Sequence, residues 1–175
     1  MGKIQFYGAT SLDGYLATPD DQIDWLTTLP GIPAEVGAIT LAQMTSAILG
    51  RVTYEAVQAM APDAPLNPHN PQMQSYVLTQ RTLPSTPGYT FTTESVITLA
   101  QRLQKQGNVW IVGGSGVLMP LLAANLVDDL YVQIAPILLG QGKRLFGDLS
   151  QPQRFELTAV NQYGPLAEVV YHRRN

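Results

Sequence analysis

Two short stretches carry residue types that fit anion binding. One is Gly50-Arg51-Val52-Thr53, and the other is Val112-Gly113-Gly114-Ser115-Gly116. Each follows an apolar, β-favouring run and opens a helix-forming one. Such a junction exposes backbone N–H groups at a helix N-terminus, where the partial positive charge suits a phosphate. An arginine on the first helical turn is unfavourable against that dipole unless an anion pairs with it, and a phosphate would be that anion. Thr53 adds a hydroxyl donor. Two plainer readings stand beside this one: glycines that serve only the turn, and an Arg51 that pairs with a carboxylate elsewhere. A third polar strand end is Thr79-Gln80-Arg81-Thr82. A fourth is Ser11-Leu12-Asp13-Gly14, a turn that hangs from the C-terminal end of the first apolar strand, where open α/β sheets place ligands.

Composition removes several other chemistries. The 175 residues include no cysteine, so thiolate catalysis, disulfides and cysteine metal sites are excluded. The two histidines, His69 and His172, are far apart, and no carboxylate cluster accompanies them, so no metal site is expected. A net charge of −3 gives no basic field for nucleic acid. No apolar run reaches the ~18 residues that span a bilayer. The first residues run straight into a strand pattern unlike a signal peptide, so a cytoplasmic protein is expected.

Periodicity supplies the elements that must position these residues. Residues 3–9 alternate, with Ile4, Phe6 and Gly8 on one side and Gln5, Tyr7 and Ala9 on the other. Residues 23–26 form an apolar patch around Trp25, which is either core or pocket lining. Residues 34–45 have helical composition, with Val36, Ile39, Leu41 and Met44 as buried candidates. Strands follow at 46–49, 74–79 and 89–92. Thr93 reads as the N-cap of a helix with Val96, Ile97, Leu99, Ala100 and Leu103 as its stripe. Residues 109–112 are a strand, and Pro120 is tolerated only near the start of the helix after it. Residues 130–139 give the longest strand signal, interrupted at Pro136. Residues 155–160 and 167–173 alternate and form a terminal antiparallel hairpin, and Arg173-Arg174 reads as a solvated tail.

Strands alternating with helices imply a mostly parallel, helix-covered α/β sheet, with the hairpin as an antiparallel edge. Parallel strands point their C-terminal ends the same way. The loops after Ala9, Leu49, Leu78 and Val112 therefore meet on one rim, which fits an extended, multiply phosphorylated ligand. Two arginines near one end fit a 2′-phosphate better than a plain diphosphate. A Rossmann fingerprint is not met, because Gly114-Ser115-Gly116 is followed by Met119 where Gly or Ala is required. No P-loop exists either, since Gly142-Lys143 precedes Arg144.

The ordered set Ser11-Leu12-Asp13-Gly14-Tyr15-Leu16-Ala17, Gly50-Arg51-Val52-Thr53-Tyr54-Glu55, Val77-Leu78-Thr79, Ile111-Val112-Gly113-Gly114-Ser115 and Leu139-Gly140-Gln141-Gly142-Lys143-Arg144-Leu145-Phe146 resembles the dihydrofolate reductase-like superfamily. The nearer branch is the reductase domain of the bifunctional riboflavin-biosynthesis enzyme. The resemblance covers essentially the whole chain, residues 1–175, as one reductase domain. It implies a three-layer fold and NADPH as hydride donor, with Ala9, Gly50, Arg51, Thr53, Thr79, Arg81, Gly113, Gly114, Ser115 and Gly116 at the cofactor. Members often carry an arginine directly after the Thr79 position, where this chain has Gln80 and then Arg81.

The resemblance further implies a small heterocyclic substrate, such as 5-amino-6-(5-phosphoribosylamino)uracil, near Ser11, Asp13 and Trp25. Asp13 is the candidate catalytic residue, orienting substrate or relaying a proton. The zinc-binding deaminase motifs of the bifunctional enzyme are missing. Asp24-Trp25 superficially resembles the acidic residue that holds a pterin, which keeps a dihydrofolate reductase as one alternative. A cofactor-binding sensor without turnover is another. Low charge content and the apolar 130–139 stretch, with the resemblance, suggest a homodimer.

Overall fold

A computed structural model describes residues 1–174. The strands are β1 (Ile4–Thr10), β2 (Tyr15–Ala17), β3 (Met44–Gly50), β4 (Gln74–Leu78), β5 (Tyr89–Thr92), β6 (Asn108–Gly113), β7 (Asp129–Ile134), β8 (Lys143–Arg144), β9 (Phe155–Tyr163) and β10 (Leu166–Arg173). The helices are α1 (Asp24–Thr27), α2 (Ala38–Ala42), α3 (Arg51–Met60), α4 (Val96–Gln104) and α5 (Ser115–Ala123). Eight strands form one sheet in the order β5-β4-β3-β6-β1-β7-β10-β9. β5 through β7 are parallel along that order, and β10 runs antiparallel to both β7 and β9. β2 and β8 pair separately.

The alternation in β1 explains the layers. Ile4 and Phe6 are fully buried on the face covered by α4 and α5, against Leu99, Leu103, Leu118 and Leu121. Burying each such side chain contributes about 1.5–3 kcal/mol. On the other face Tyr7 packs with Leu41, Met44 and Trp110. The Tyr7 and Trp110 rings meet edge to face at 6.4 Å, and the indole N–H donates to the Tyr7 carbonyl at 3.0 Å. Both sheet faces are therefore covered, as parallel strands require.

Several expected elements are shorter or shifted. The helix of residues 34–45 is only α2, because Gly37 precedes it in the left-handed region and Met44 already pairs with β6. Ile39, expected inside, is 81% exposed. The Trp25 patch is a four-residue helix with no buried residue. The cap of α4 is Ser95, not Thr93: its Oγ accepts from the Thr98 N–H at 3.3 Å. Pro120 lies in the second turn of α5, where it removes the bond to the Gly116 carbonyl. The strand expected over 130–139 stops at Ile134, and β7 lies between β1 and β10 inside the sheet.

The N-terminal ends of β1 and β7 are tied by carboxylates. Asp129 accepts from Lys3 at 3.0 Å and Gln5 at 2.7 Å, and lies 2.6 Å from His172 Nδ1. Burial is the largest single influence on its pKa and pushes it up. The bonds from His172, Lys3 and Gln5 together outweigh it, so Asp129 lies below the usual carboxylate value. Arg173 is not a free tail: it pairs with Asp128 at 3.1 Å.

Candidate functional site

The rim expected from parallel topology exists. β3 and β6 are neighbours, with Leu49 opposite Gly113, so the glycine junctions of α3 and α5 lie side by side. A Cβ placed on Gly50 would touch Val117 at 3.5 Å, and one on Gly114 would lie 4.0 Å from Thr53 Oγ1. Gly50 and Gly114 are the N-caps of α3 and α5, and neither helix has a side-chain cap. Their first N–H groups thus face the rim unblocked by side chains. A Cβ on Gly116 would meet nothing within 4 Å, so open space stands above the start of α5. Gly113 has φ 122°, a conformation that favours glycine, and the Gly113–Gly114 peptide is cis.

Beside these junctions lies a cavity of about 420 Å³ lined by Arg51, Thr79, Gln80, Arg81, Glu94 and Gly116, among others. Three of the four expected rim loops therefore contribute to one cavity. Thr79 Oγ1 accepts from the Arg81 N–H at 3.0 Å, which folds the strand end back on itself. Glu94 is held by Arg102 at 2.9 Å. Arg51 places Nη1 2.7 and 2.6 Å from the two carboxylate oxygens of Glu55, one turn along its own helix. The partner that Arg51 needs at a helix N-terminus is thus supplied, in the free protein, by its own helix. Such an i,i+4 pair contributes about 0.3–0.5 kcal/mol. A charged hydrogen bond to phosphate contributes about 1.5–3 kcal/mol, so Arg51 remains available to an anion.

The fourth loop lies further along the rim. From β4 to β1 there are three strand steps, roughly 14 Å at ordinary spacing. Ser11 is buried, accepts from the Tyr15 N–H at 2.9 Å and donates to Asp13 Oδ1 at 2.6 Å. Asp13 also accepts from the backbone N–H groups of Leu139 at 3.1 Å and Gly140 at 2.7 Å. The Ser11 hydroxyl first, then these amides, lower its pKa from 3.8 to about 2. Asp13 is thus an anion that clamps the first loop to the segment leading into β8. β8 in turn pairs with β2, and Arg144 lies 5.3 Å from the centre of the Tyr15 ring.

Ala9 stands near the end of β1, opposite Gln133 of β7. Trp25 lines neither the arginine cavity nor the apolar one described next, and its indole N–H is buried without a partner. The second cavity, about 550 Å³, lies on the α5 face between the Ser11–Gly14 loop and the apolar side of β7 and β10. Its lining has no charged side chain, which does not suit phosphate. Sequence reasoning missed Glu55, the Leu139 and Gly140 amides and Gln133. Glu55 alone had a readable signal, its i,i+4 spacing from Arg51.

Comparison with known proteins agrees with this architecture. The profile of the RibD C-terminal domain matches residues 3–168. The uncharacterized protein YwjB of Bacillus subtilis is 30% identical, with 98% of each chain covered. A crystal structure of a putative riboflavin biosynthesis protein from Shewanella sp. PV-4 superposes with a TM-score of 0.83 and 26% identity over the whole of both chains. Dihydrofolate reductase from Enterococcus faecalis, complexed with NADP(H) and RAB-propyl, shares the fold at a TM-score of 0.67 and 20% identity, over 99% of this chain and 98% of that one. The chain belongs to the RibD C-terminal domain family, and its fold is that of dihydrofolate reductase.

Proposed function

We propose that residues 1–175 act as an NADPH-dependent oxidoreductase on a small heterocyclic metabolite related to 5-amino-6-(5-phosphoribosylamino)uracil. The observation that carries this is the meeting of two uncapped helix N-termini with Arg51, Thr79 and Arg81 on one rim. The open space above Gly116 and the unfilled hydrogen-bonding of both helix starts fit a diphosphate. Arg51, Thr53, Thr79 and Arg81 would hold the adenosine phosphate end. Gly50 and Gly113 to Gly116 would hold the diphosphate, and Ala9 would border the nicotinamide. The cofactor, when bound, supplies the hydride. The protein's part is to orient two reactants and exclude water around the transfer. Asp13, already anionic, orders the loop beside Ala9, and Ser11 and Trp25 remain candidates for the substrate side.

Fluorescence titration with NADPH and NADH tests this reading. Saturable binding with NADPH preferred is expected, and no binding of either cofactor would sink it. A cofactor-binding protein without turnover is the second reading, favoured because Asp13 holds no proton to give at neutral pH. Oxidation of bound NADPH by any pyrimidine or pterin in a metabolite panel excludes that second reading. Dihydrofolate in the same panel tests the dihydrofolate reductase alternative. Among the described residues no helix is long and apolar enough to cross a membrane. A small-molecule substrate in the cytoplasm, with no nucleic-acid or membrane partner, fits the absence of a basic field.

The proposed homodimer rests on a different strand from the one the sequence pointed to. β7 is interior, whereas β9 is a nine-residue edge strand paired only with β10. Val160 and Leu157 stand opposite Val169 and Tyr171, which line the apolar cavity, and are 64% and 51% exposed. A long edge carrying exposed apolar residues invites pairing, and a two-fold copy satisfies it. Light scattering should give a dimer for the native chain and a monomer for Val160→Lys. A native monomer contradicts the assignment.

A further inference from the structure

One buried carboxylate has no part in the cofactor site. Glu168 of β10 is 4% exposed and stands opposite Gln133, which is 3% exposed and stands opposite Ala9. Cross-strand partners share a face, so Ala9, Gln133 and Glu168 form one row leading away from the end of β1. Gln133 Nε2 donates to Glu168 Oε2 at 2.5 Å, and Asn161 Nδ2 of β9 donates to Oε1 at 2.9 Å. Each carboxylate oxygen thus has one amide donor and keeps acceptor capacity, since a carboxylate offers roughly four lone-pair sites. No ion pair among the described residues includes Glu168. Taking an anion out of water with only two amides as partners is unfavourable, and a ligand with N–H donors removes that deficit. Tyr7 lies two residues before Ala9 on the same face; burial first and nearby Glu168 second raise its pKa, so it stays a neutral hydroxyl.

The cover over this row is light. A Cβ on Gly37 would fall 2.1 Å from the Tyr7 hydroxyl, and one on Gly164 would fall 2.0 Å from the Gly31 carbonyl. Residues 31–37 therefore run from Tyr7 to the turn before β10. They are flanked by α1 and α2, helices of four and five residues that bury only Leu41 between them. Segments with so few buried contacts open at low free energy.

We infer that Glu168 is the specificity-determining carboxylate of the substrate pocket, reading two adjacent N–H groups of an amino-substituted pyrimidine, with Gln133 and Asn161 as its positioning residues. This rests on the proposed cofactor arrangement, which puts the reacting end at Ala9. A planar ring with neighbouring N–H donors matches a carboxylate in bidentate fashion. 5,6-Diaminouracil presents such a pair, its ring N1–H and 6-amino group, and uracil lacks the amino half.

The test is calorimetric titration of the NADPH-loaded protein with 5,6-diaminouracil and with uracil, in wild type and Glu168→Gln. Diaminouracil should bind the variant about tenfold or more weakly, the scale of a lost charged hydrogen bond. Uracil should discriminate far less, and the NADPH Kd should be unchanged. If Glu168→Gln fails to fold, Glu168→Asp keeps the charge but shortens the reach, and the same loss is expected. An NADPH-binding protein whose affinity for diaminouracil ignores residue 168, or that does not bind it at all, overturns this inference alone. A wild type that takes diaminouracil in a Glu168-dependent way but never NADPH overturns the cofactor reading instead.

Discussion

Arg51→Ala is expected to weaken NADPH binding on the order of 100-fold while leaving NADH within about threefold. The first figure is what loss of a charged hydrogen bond of about 3 kcal/mol gives. The difference between cofactors arises because only NADPH carries the 2′-phosphate. In the free protein Arg51 is engaged by both oxygens of Glu55, at 2.7 and 2.6 Å. Deleting the arginine removes the cation and leaves Glu55 facing the incoming phosphate, so repulsion adds to the loss. The Glu55 pair is too weak to hold Arg51 back, as exposed i,i+4 pairs contribute only about 0.3–0.5 kcal/mol. Parallel fluorescence titrations of the two cofactors decide the matter. Equal losses for NADPH and NADH would show that Arg51 does not read the 2′-phosphate, leaving that task to Arg81, which also lines the cavity.

Asp13→Asn is expected to loosen the reacting end without touching the phosphate end. Asp13 accepts bonds from the Ser11 hydroxyl and from the Leu139 and Gly140 amides. An amide side chain can accept at one atom but presents N–H at the other, against at least one of those donors. Hydrogen exchange at Leu139 and Gly140 should quicken about tenfold or more, and turnover should fall on the order of 100-fold, the scale of a misplaced reacting geometry. NADPH affinity should stay within about threefold. Unchanged exchange at both amides would show that the clamp is not what orders the loop.

The same carboxylate gives a pH prediction. Its folded pKa of about 2 lies below the ordinary 3.8, so its stabilising contribution is fully present above about pH 4 and is lost as pH falls through about 2. Any limb of a pH–rate profile between pH 5 and 9 therefore belongs to another group. A limb in that window that disappears in Asp13→Asn would contradict the assignment of Asp13 as a fixed anion.

The parts legible in the sequence were those with local causes. Alternation in residues 3–9 placed Phe6 and Tyr7 on opposite faces, and the strand–glycine–helix junctions at Gly50 and Gly113 announced themselves by residue type alone. Residues 34–45 misled because helical composition says nothing about competition from a neighbouring strand. Met44 gains more by pairing with β6, fully buried, than by extending a helix whose Ile39 is already in solvent. The 130–139 stretch misled in another way, since apolar length cannot distinguish an interior strand from an exposed edge.

By itself, then, the sequence determined the order of the main-sheet strands and the helices that cover them, the mostly parallel sheet, the polar rim and the family, because these follow from short-range periodicity and from motifs read in order; the small β2–β8 pair was not legible in it. Only the tertiary structure decided which distant groups face one another: Asp13 with the amides of residues 139 and 140, and Gln133 with Glu168 behind Ala9. These contacts join residues 126, 127 and 35 positions apart in the chain. Strand order, cross-strand register and loop closure create them, and none of these is written in the spacing of neighbouring residues.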